Sequence, residues 1–224
     1  MKKVALILAG GKGERIGGKK PLKELAGKPL LYWAIYPYYK LNLPIWISVR
    51  TEDQEREFSK TLASLGFQPS SFEFIFDHSM YEGLGPLSGI YSAMQRSDAS
   101  TLFVVSAADQ PFIPKEIVRY LLSLGEIFFS FSIVFKGKDS LEPFPGVYPS
   151  TLLSEVQSFL KDASKKSVKG LINFLLRKKL LFISDFWHKI EKYGLLFYNV
   201  NTLEELREAE ECFLTFIERI YQEL

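Results

Sequence analysis

Residues 4–22 read VALILAGGKGERIGGKKPL, an apolar run that breaks into glycine and positive charge. The run at 4–9 is too short for an ordinary helix and rich in branched side chains, so it reads as a buried strand. Gly10, Gly11 and Gly13 let the backbone that follows approach a ligand closely. Successive N–H groups in such a loop can form an anion-binding concavity, and Lys12, Arg15, Lys19 and Lys20 add charge around it. The combination reads as a phosphate site; a glycine-rich turn with solvated lysines is the bland alternative. Two standard motifs fail. The dinucleotide fingerprint needs glycine where Ile16 stands, and the P-loop pattern meets Lys20 where its magnesium-binding hydroxyl belongs. Both also need a helix directly after the glycines, whereas Gly17, Gly18 and Pro21 leave room for one turn at most.

Outward from this stretch, strands and helices alternate. Residues 29–41 read as a helix with Pro29 in its first turn and Pro37 as a kink or early stop. PIWISVR is a second strand, and Thr51 with Gln54 makes a capping box for a helix that runs to Leu65 and is closed by Gly66. FEFIF is a third strand, residues 87–96 are helical, TLFVVSA is another buried strand, and Pro114 opens a helix that ends before Gly125. This rhythm predicts an α/β fold with a mostly parallel sheet and right-handed crossovers. Ligands in such sheets bind beyond the C-terminal strand ends, where the loops after Ala9, Phe76 and Ala107 converge. The second half is less regular. IFFSFSIVFKGKDSLEPFPGVY predicts a strand, a turn and a proline-interrupted excursion; helices follow at 150–161 and 168–178, then LLFYNV as a last strand and a terminal helix over 203–224. With no repeat and no linker, residues 1–224 read as one domain, the stretch from about 210 to 224 being a C-terminal helical extension.

Composition sets wide bounds. A chain of 224 residues that is 47% hydrophobic and 24% charged is long and apolar enough for one substantial core. A net charge of +2 makes no general case for nucleic acid or membrane. The single cysteine, Cys212, excludes an internal disulfide and a cysteine-based zinc site. The run at 4–9 is too short for a secretory signal, and IFFSFSIVF falls short of the ~20 residues that span a bilayer. The chain reads as cytoplasmic.

Three further motifs narrow the chemistry. In SAADQPFIP, Asp109 follows a buried strand at the ligand-bearing edge. A carboxylate there suits Mg²⁺, which takes hard oxygen ligands and usually keeps substrate phosphates in its shell; an aspartate capping the next turn is the other reading. In FDHSMYEGLGPLSGI, Asp77 stands at another strand end, and Gly83, Gly85 and Gly89 suit a loop pressed against a flat base. Guanine offers N1–H and N2–H₂ donors that a carboxylate can accept, though Asp77 also reads as a solvated loop residue and His78 as a surface one. In YNVNTLEEL, Asn199 and Asn201 would share one face of a strand, while Thr202 and Glu205 form a capping box for the terminal helix.

LAGGKGERIGGKKPL, DHSMYEGLGPLSG, DQPFIP and NVNTLEEL, in this order over about residues 1–210, resemble the molybdenum cofactor guanylyltransferase family within the nucleotidyltransferases. The resemblance implies a three-layer, Rossmann-like fold. It implies GTP and a molybdopterin-type phosphate as substrates and Mg²⁺ as cofactor, with no nucleic acid or membrane partner. It also implies a monomer with transient contacts to cofactor-biosynthesis or molybdoenzyme partners. By match, Leu8, Ala9, Gly10 and Gly11 wrap the nucleotide, Arg15 and Lys20 neutralise its phosphates, Asp77 meets the base, and Asp109 holds the metal. This chain departs from the family's pattern at Gly13, Glu14 and Lys19, and an asparagine of some members has no match near residues 49–51. Glu14 is expected to turn away from the triphosphate. Lys165, Lys166 and Lys169 are a candidate anchor for the pterin phosphate, or a solvated face. Three other readings stay open: CTP as donor; a sugar-phosphate or cobinamide-phosphate acceptor; a non-catalytic GTP-binding regulator.

Overall fold

In the computed structural model the run at 4–9 lies in the middle of a sheet. The structure describes residues 1–222 except 12, 82 and 191–193, with side chains through Phe213. Lys12 and the last two residues of the expected terminal helix therefore lie outside the described residues. The first strand, β1 (Lys2–Leu8), leads through the glycine loop to a small hairpin of β2 (Glu24–Leu25) and β3 (Lys28–Pro29). Then follow α1 (Leu30–Tyr39), β4 (Ile45–Val49), α2 (Glu52–Ser64), β5 (Phe72–Phe76), α3 (Pro86–Arg96), β6 (Thr101–Ala107) and α4 (Lys115–Ile127). The second half comprises β7 (Ser132–Lys136), β8 (Leu141–Pro149), α5 (Leu153–Asp162), α6 (Val168–Arg177), β9 (Leu181–Ser184), α7 (Trp187–Ile190) and α8 (Leu203–Gln222).

The large sheet has the order β5-β4-β1-β6-β8-β7-β9. Its first four strands are parallel, β8 runs antiparallel to both neighbours, and β9 returns parallel to β7. The two-residue period of a strand divides β1 between two cores. Ala5 and Ile7 pack with α1, α2 and α4, whereas Val4, Leu6 and Leu8 pack with α3, α5 and α6. Three layers result, as the resemblance implies. A third apolar cluster joins Ile16 of the glycine loop, Leu25 and Leu30 of the hairpin region, Phe112, Val200, and Ala209 and Phe213 of α8.

Four local expectations need correction. Gly125 does not end α4, which continues to Ile127; a Cβ there would lie 2.5 Å from Leu102 Cδ2, so this glycine serves close packing. Residues 141–149 are no excursion, since β8 runs through Pro143 and Pro145 and meets the neighbouring β7 across a register shift. Residues 195–200 form no strand: Leu196 and Val200 are buried by packing, and the last strand is β9. Gly89 belongs to no base-facing loop. It lies inside α3, where a Cβ would fall 2.5 Å from Ser48 Oγ and 2.8 Å from Leu8 Cδ2. Pro37 is buried within α1, which ends at Tyr39.

Candidate active site

Parallel strands end together, and their register brings distant residues into one row. Leu8 is level with Ser48 and with Ala107, and Val49 with Phe76. Continued past the strand ends, the same register sets Asp77, Arg50 and Gly10 side by side, in that order, with Asp109 next, in the turn that follows β6. Neighbouring strands are ~4.8 Å apart, so the row is ~14 Å long. The ladder's hydrogen bonds run one residue past the ends of β5, β1 and β6: Asp77 N–H donates to the Val49 carbonyl, Ala9 N–H to that of Ser48, and Ala108 N–H to that of Leu8.

At the β1–β6 end of the row lies an open cleft of about 390 Å³, within the range of small-ligand sites. Leu8, Ala9, Gly11, Gly13 and Arg15 form one wall, and Lys20, Pro21, Ala108, Asp109 and Asn201 close it. The loop makes no α-helix but two short 3₁₀ turns, Glu14–Ile16 and Lys20–Leu22. Gly13 precedes the first in the left-handed region at φ 64°, with its carbonyl accepting from Ile16 and Gly18 N–H. A side chain at Gly13 would meet Lys20 Cβ at 2.6 Å, so glycine is what lets the lysine fold back over the loop. Glu14, expected to turn away, contributes to the cleft wall because it opens the first of these turns. Lys19 instead pairs on the surface with Glu57 at 2.6 Å.

Lys20 is the centre of the cleft. Its Nζ donates to Asp109 Oδ2 at 2.5 Å and to Asn201 Oδ1 at 2.7 Å. Lys20 and Asp109 side chains are only 15% and 20% exposed, so this ion pair is largely shielded from water. Asp109 Oδ1 is buried and has no hydrogen-bond partner among the described residues. The fold fixes Asp109 from both sides. Gln110, 3% exposed, accepts from Ala107 N–H and donates to the Phe144 carbonyl, while Val200 N–H donates to the Asp109 carbonyl. Beyond Asn201, Glu205 Oε2 accepts from the N–H groups of Asn201 and Thr202, and Glu205 N–H donates to Thr202 Oγ1. That is the expected capping box. The single hydroxyl proton of Tyr198 is shared between the Glu205 carbonyl and Glu208 Oε2; burial first, then the Glu208 carboxylate, raises its phenol above the ordinary range and keeps it a donor.

Of the residues singled out in the sequence, the structure brings Leu8, Ala9, Gly11, Arg15, Lys20 and Asp109 to one cleft; Gly10 is not among its lining residues and lies against Arg50. Asp77 stands at the far end of the row, outside the cleft. Asn199 turns away, donating to the Phe197 carbonyl, so only one asparagine of the pair reaches Lys20. Lys165, Lys166 and Lys169 are exposed and do not line the cleft. Two residues escaped the sequence reading. Gln110 gives no local signal, because both its partners are backbone groups brought near by the fold. Arg50 does give one: a charge immediately after a fully buried strand.

A doubly flanked parallel sheet whose central edge carries a glycine loop, a shared lysine and a carboxylate belongs to the nucleotidyltransferases. The chain is a member of the family described as the MobA-like NTP transferase domain, whose model matches residues 5–177. It is similar to a probable molybdenum cofactor guanylyltransferase of Methanocaldococcus jannaschii, with 30% identity over 209 residues covering 92% of this chain and 97% of its relative. Among solved structures it is similar to molybdopterin-guanine dinucleotide biosynthesis protein A from Archaeoglobus fulgidus, at 27% identity and a TM-score of 0.74, covering 95% and 99% of the two chains. The fold is shared more widely: 4-diphosphocytidyl-2C-methyl-D-erythritol synthase from Anaerococcus prevotii superposes with a TM-score of 0.71 at 13% identity, over 95% and 96% of the chains.

Proposed function

We propose that this protein transfers GMP from GTP to the phosphate of the molybdopterin cofactor, releasing pyrophosphate and forming the guanine dinucleotide form of the cofactor. The carrying observation is the Lys20–Asp109–Asn201 constellation at the mouth of the glycine loop. The acceptor is a phosphate monoester with a second pKa near ~6, mostly dianionic at neutral pH. One of its oxygens attacks the α-phosphorus of GTP, the α–β bridging bond breaks, and pyrophosphate leaves with the bond's electrons. No proton need move, so the cleft needs no general base. Its work is to bring two polyanions together and to stabilise the leaving group. Loop N–H groups, Arg15 and Lys20 serve that purpose.

Nucleotidyltransferases of this family work with a divalent metal, and the buried, unpartnered Oδ1 of Asp109 is a hard oxygen suited to one. Among the described residues no cluster of three or more acidic, histidine or cysteine side chains surrounds it, so substrate phosphates and water would complete the shell. We assign Mg²⁺; when bound it supplies charge neutralisation across the phosphates. The reading treats residues 1–224 as one catalytic domain, monomeric and cytoplasmic. Among the described residues no helix is long and apolar enough to cross a membrane.

The test is a thermal-shift screen of GTP, CTP, ATP and UTP with Mg²⁺, joined to a pyrophosphate-release assay with molybdopterin. GTP should give the largest shift, and pyrophosphate should appear only with both substrates. A Cβ at Gly11 meets nothing within 4 Å, so Gly11→Val should fold normally and lose the nucleotide shift. Equal shifts for all four nucleotides would sink the guanine assignment, and absent pyrophosphate would favour a binding protein.

A further inference from the structure

Arg50 lies between the residue we assign to the base and the loop we assign to the phosphates. It directly follows β4, and the register places it between Asp77 and Gly10. Its side chain lies against the glycine loop: a Cβ at Gly10 would fall 3.1 Å from Arg50 Cγ. Its backbone is held, because Arg50 N–H donates to Gln54 Oε1 at 2.8 Å while Gln54 N–H donates to Thr51 Oγ1 at 3.3 Å. The capping box of α2 thus closes one residue early, on Arg50 rather than Thr51. The guanidinium is not so occupied. Nε is buried without a hydrogen-bond partner among the described residues, and no ion pair to Arg50 occurs among them. A buried N–H left unpaired is unfavourable unless something accepts from it.

The row of four residues says what that acceptor is. With the metal-bearing phosphates at Asp109 and the loop at Gly10, an extended nucleotide along the ~14 Å row puts its base over Arg50 and Asp77. Arginine only donates, so Arg50 faces an acceptor edge. Guanine has one in O6 and N7, beside the N1–H and N2–H₂ donors that suit Asp77; adenine and cytosine carry an amino donor at the position of O6 or its equivalent. We infer that Arg50 is a specificity-determining residue, donating to the O6/N7 edge of guanine while Asp77 accepts from the opposite functions of the same base. The inference rests on the guanylyl reading above and adds a residue to it.

The test uses base analogues, so that the wild-type protein suffices for its first half. 7-Deaza-GTP lacks the N7 acceptor and leaves N1, N2 and O6 intact. Calorimetry should show it binding about tenfold more weakly than GTP. Arg50→Met should weaken GTP by about 10- to 100-fold, bring 7-deaza-GTP to within about twofold of GTP, and leave CTP nearly unchanged. Inosine triphosphate, lacking only the N2 amino group, should still bind more weakly than GTP in this variant. If the wild type binds 7-deaza-GTP and GTP equally, the inference falls although guanine preference over CTP and ATP stands. If Arg50→Met weakens GTP and CTP alike, Arg50 holds phosphate and the inference falls too. No preference among bases in the wild type would overturn the underlying reading instead.

Discussion

One oxygen of Asp109 holds Lys20, and the other is buried with no partner among the described residues. At the residue scale this predicts a separation of effects. Asp109→Asn preserves shape but removes the charge that holds a metal, so turnover should fall by about 10²–10³, the scale of losing one transition-state stabiliser. Nucleotide binding in the presence of a chelator should survive, since Lys20, Arg15 and the loop amides remain. Pyrophosphate release and metal-free calorimetry on the same variant check this. A variant with lowered melting temperature and near-normal turnover would mean that Asp109 merely caps a turn. The candidate residues of this cleft were legible because each sits on a strand end or in a glycine loop, where local pattern and chemistry coincide. Gln110 was not, since its two backbone partners are defined only by the packed fold.

At the scale of elements, α3 lies close against the strands beneath the loop. Gly89 permits this, with Ser48 and Leu8 where its side chain would be. Gly89→Ala improves helix propensity by about 1 kcal/mol, but overpacking a filled core costs about 1–3 kcal/mol. A net destabilisation of up to about 2 kcal/mol should therefore appear as a lower urea midpoint at unchanged slope; a stabilised variant would show that α3 can retreat freely. The sequence suggested a base-facing loop at Gly89 because a third glycine near Gly83 and Gly85 looks like more of the same turn. Periodicity was reliable where burial is local, as in FEFIF and TLFVVSA, which are β5 and β6 residue for residue. It failed at residues 195–200, where apolar residues are buried by packing rather than by pairing. The signal for a strand and the signal for a tucked-in loop are then the same.

At the scale of the whole molecule, the third apolar cluster ties α8 to the glycine loop. Phe213 is 3% exposed, and its ring centre lies 4.4 Å from that of Trp33, while Ile16 of the loop belongs to the same cluster. Phe213→Ala should cost about 3 kcal/mol of stability and should also reduce the thermal shift produced by GTP, because the loop loses its support. Urea denaturation and the nucleotide screen check the two effects, and a loss of stability with an intact GTP shift would uncouple helix from loop. The cleft is itself assembled from chain positions far apart: Lys20 and Asn201 meet across 181 residues of sequence. Chains are made on the ribosome from the N-terminus onward, and a domain generally folds as a unit. The glycine loop and most of its sheet are therefore synthesised well before the asparagine that helps orient Lys20, and a nascent chain that has not passed residue 201 holds a lysine still unanchored by it. The order of synthesis thus sets the order of assembly: the phosphate loop exists first, and the cleft is complete only once residue 201 has joined it.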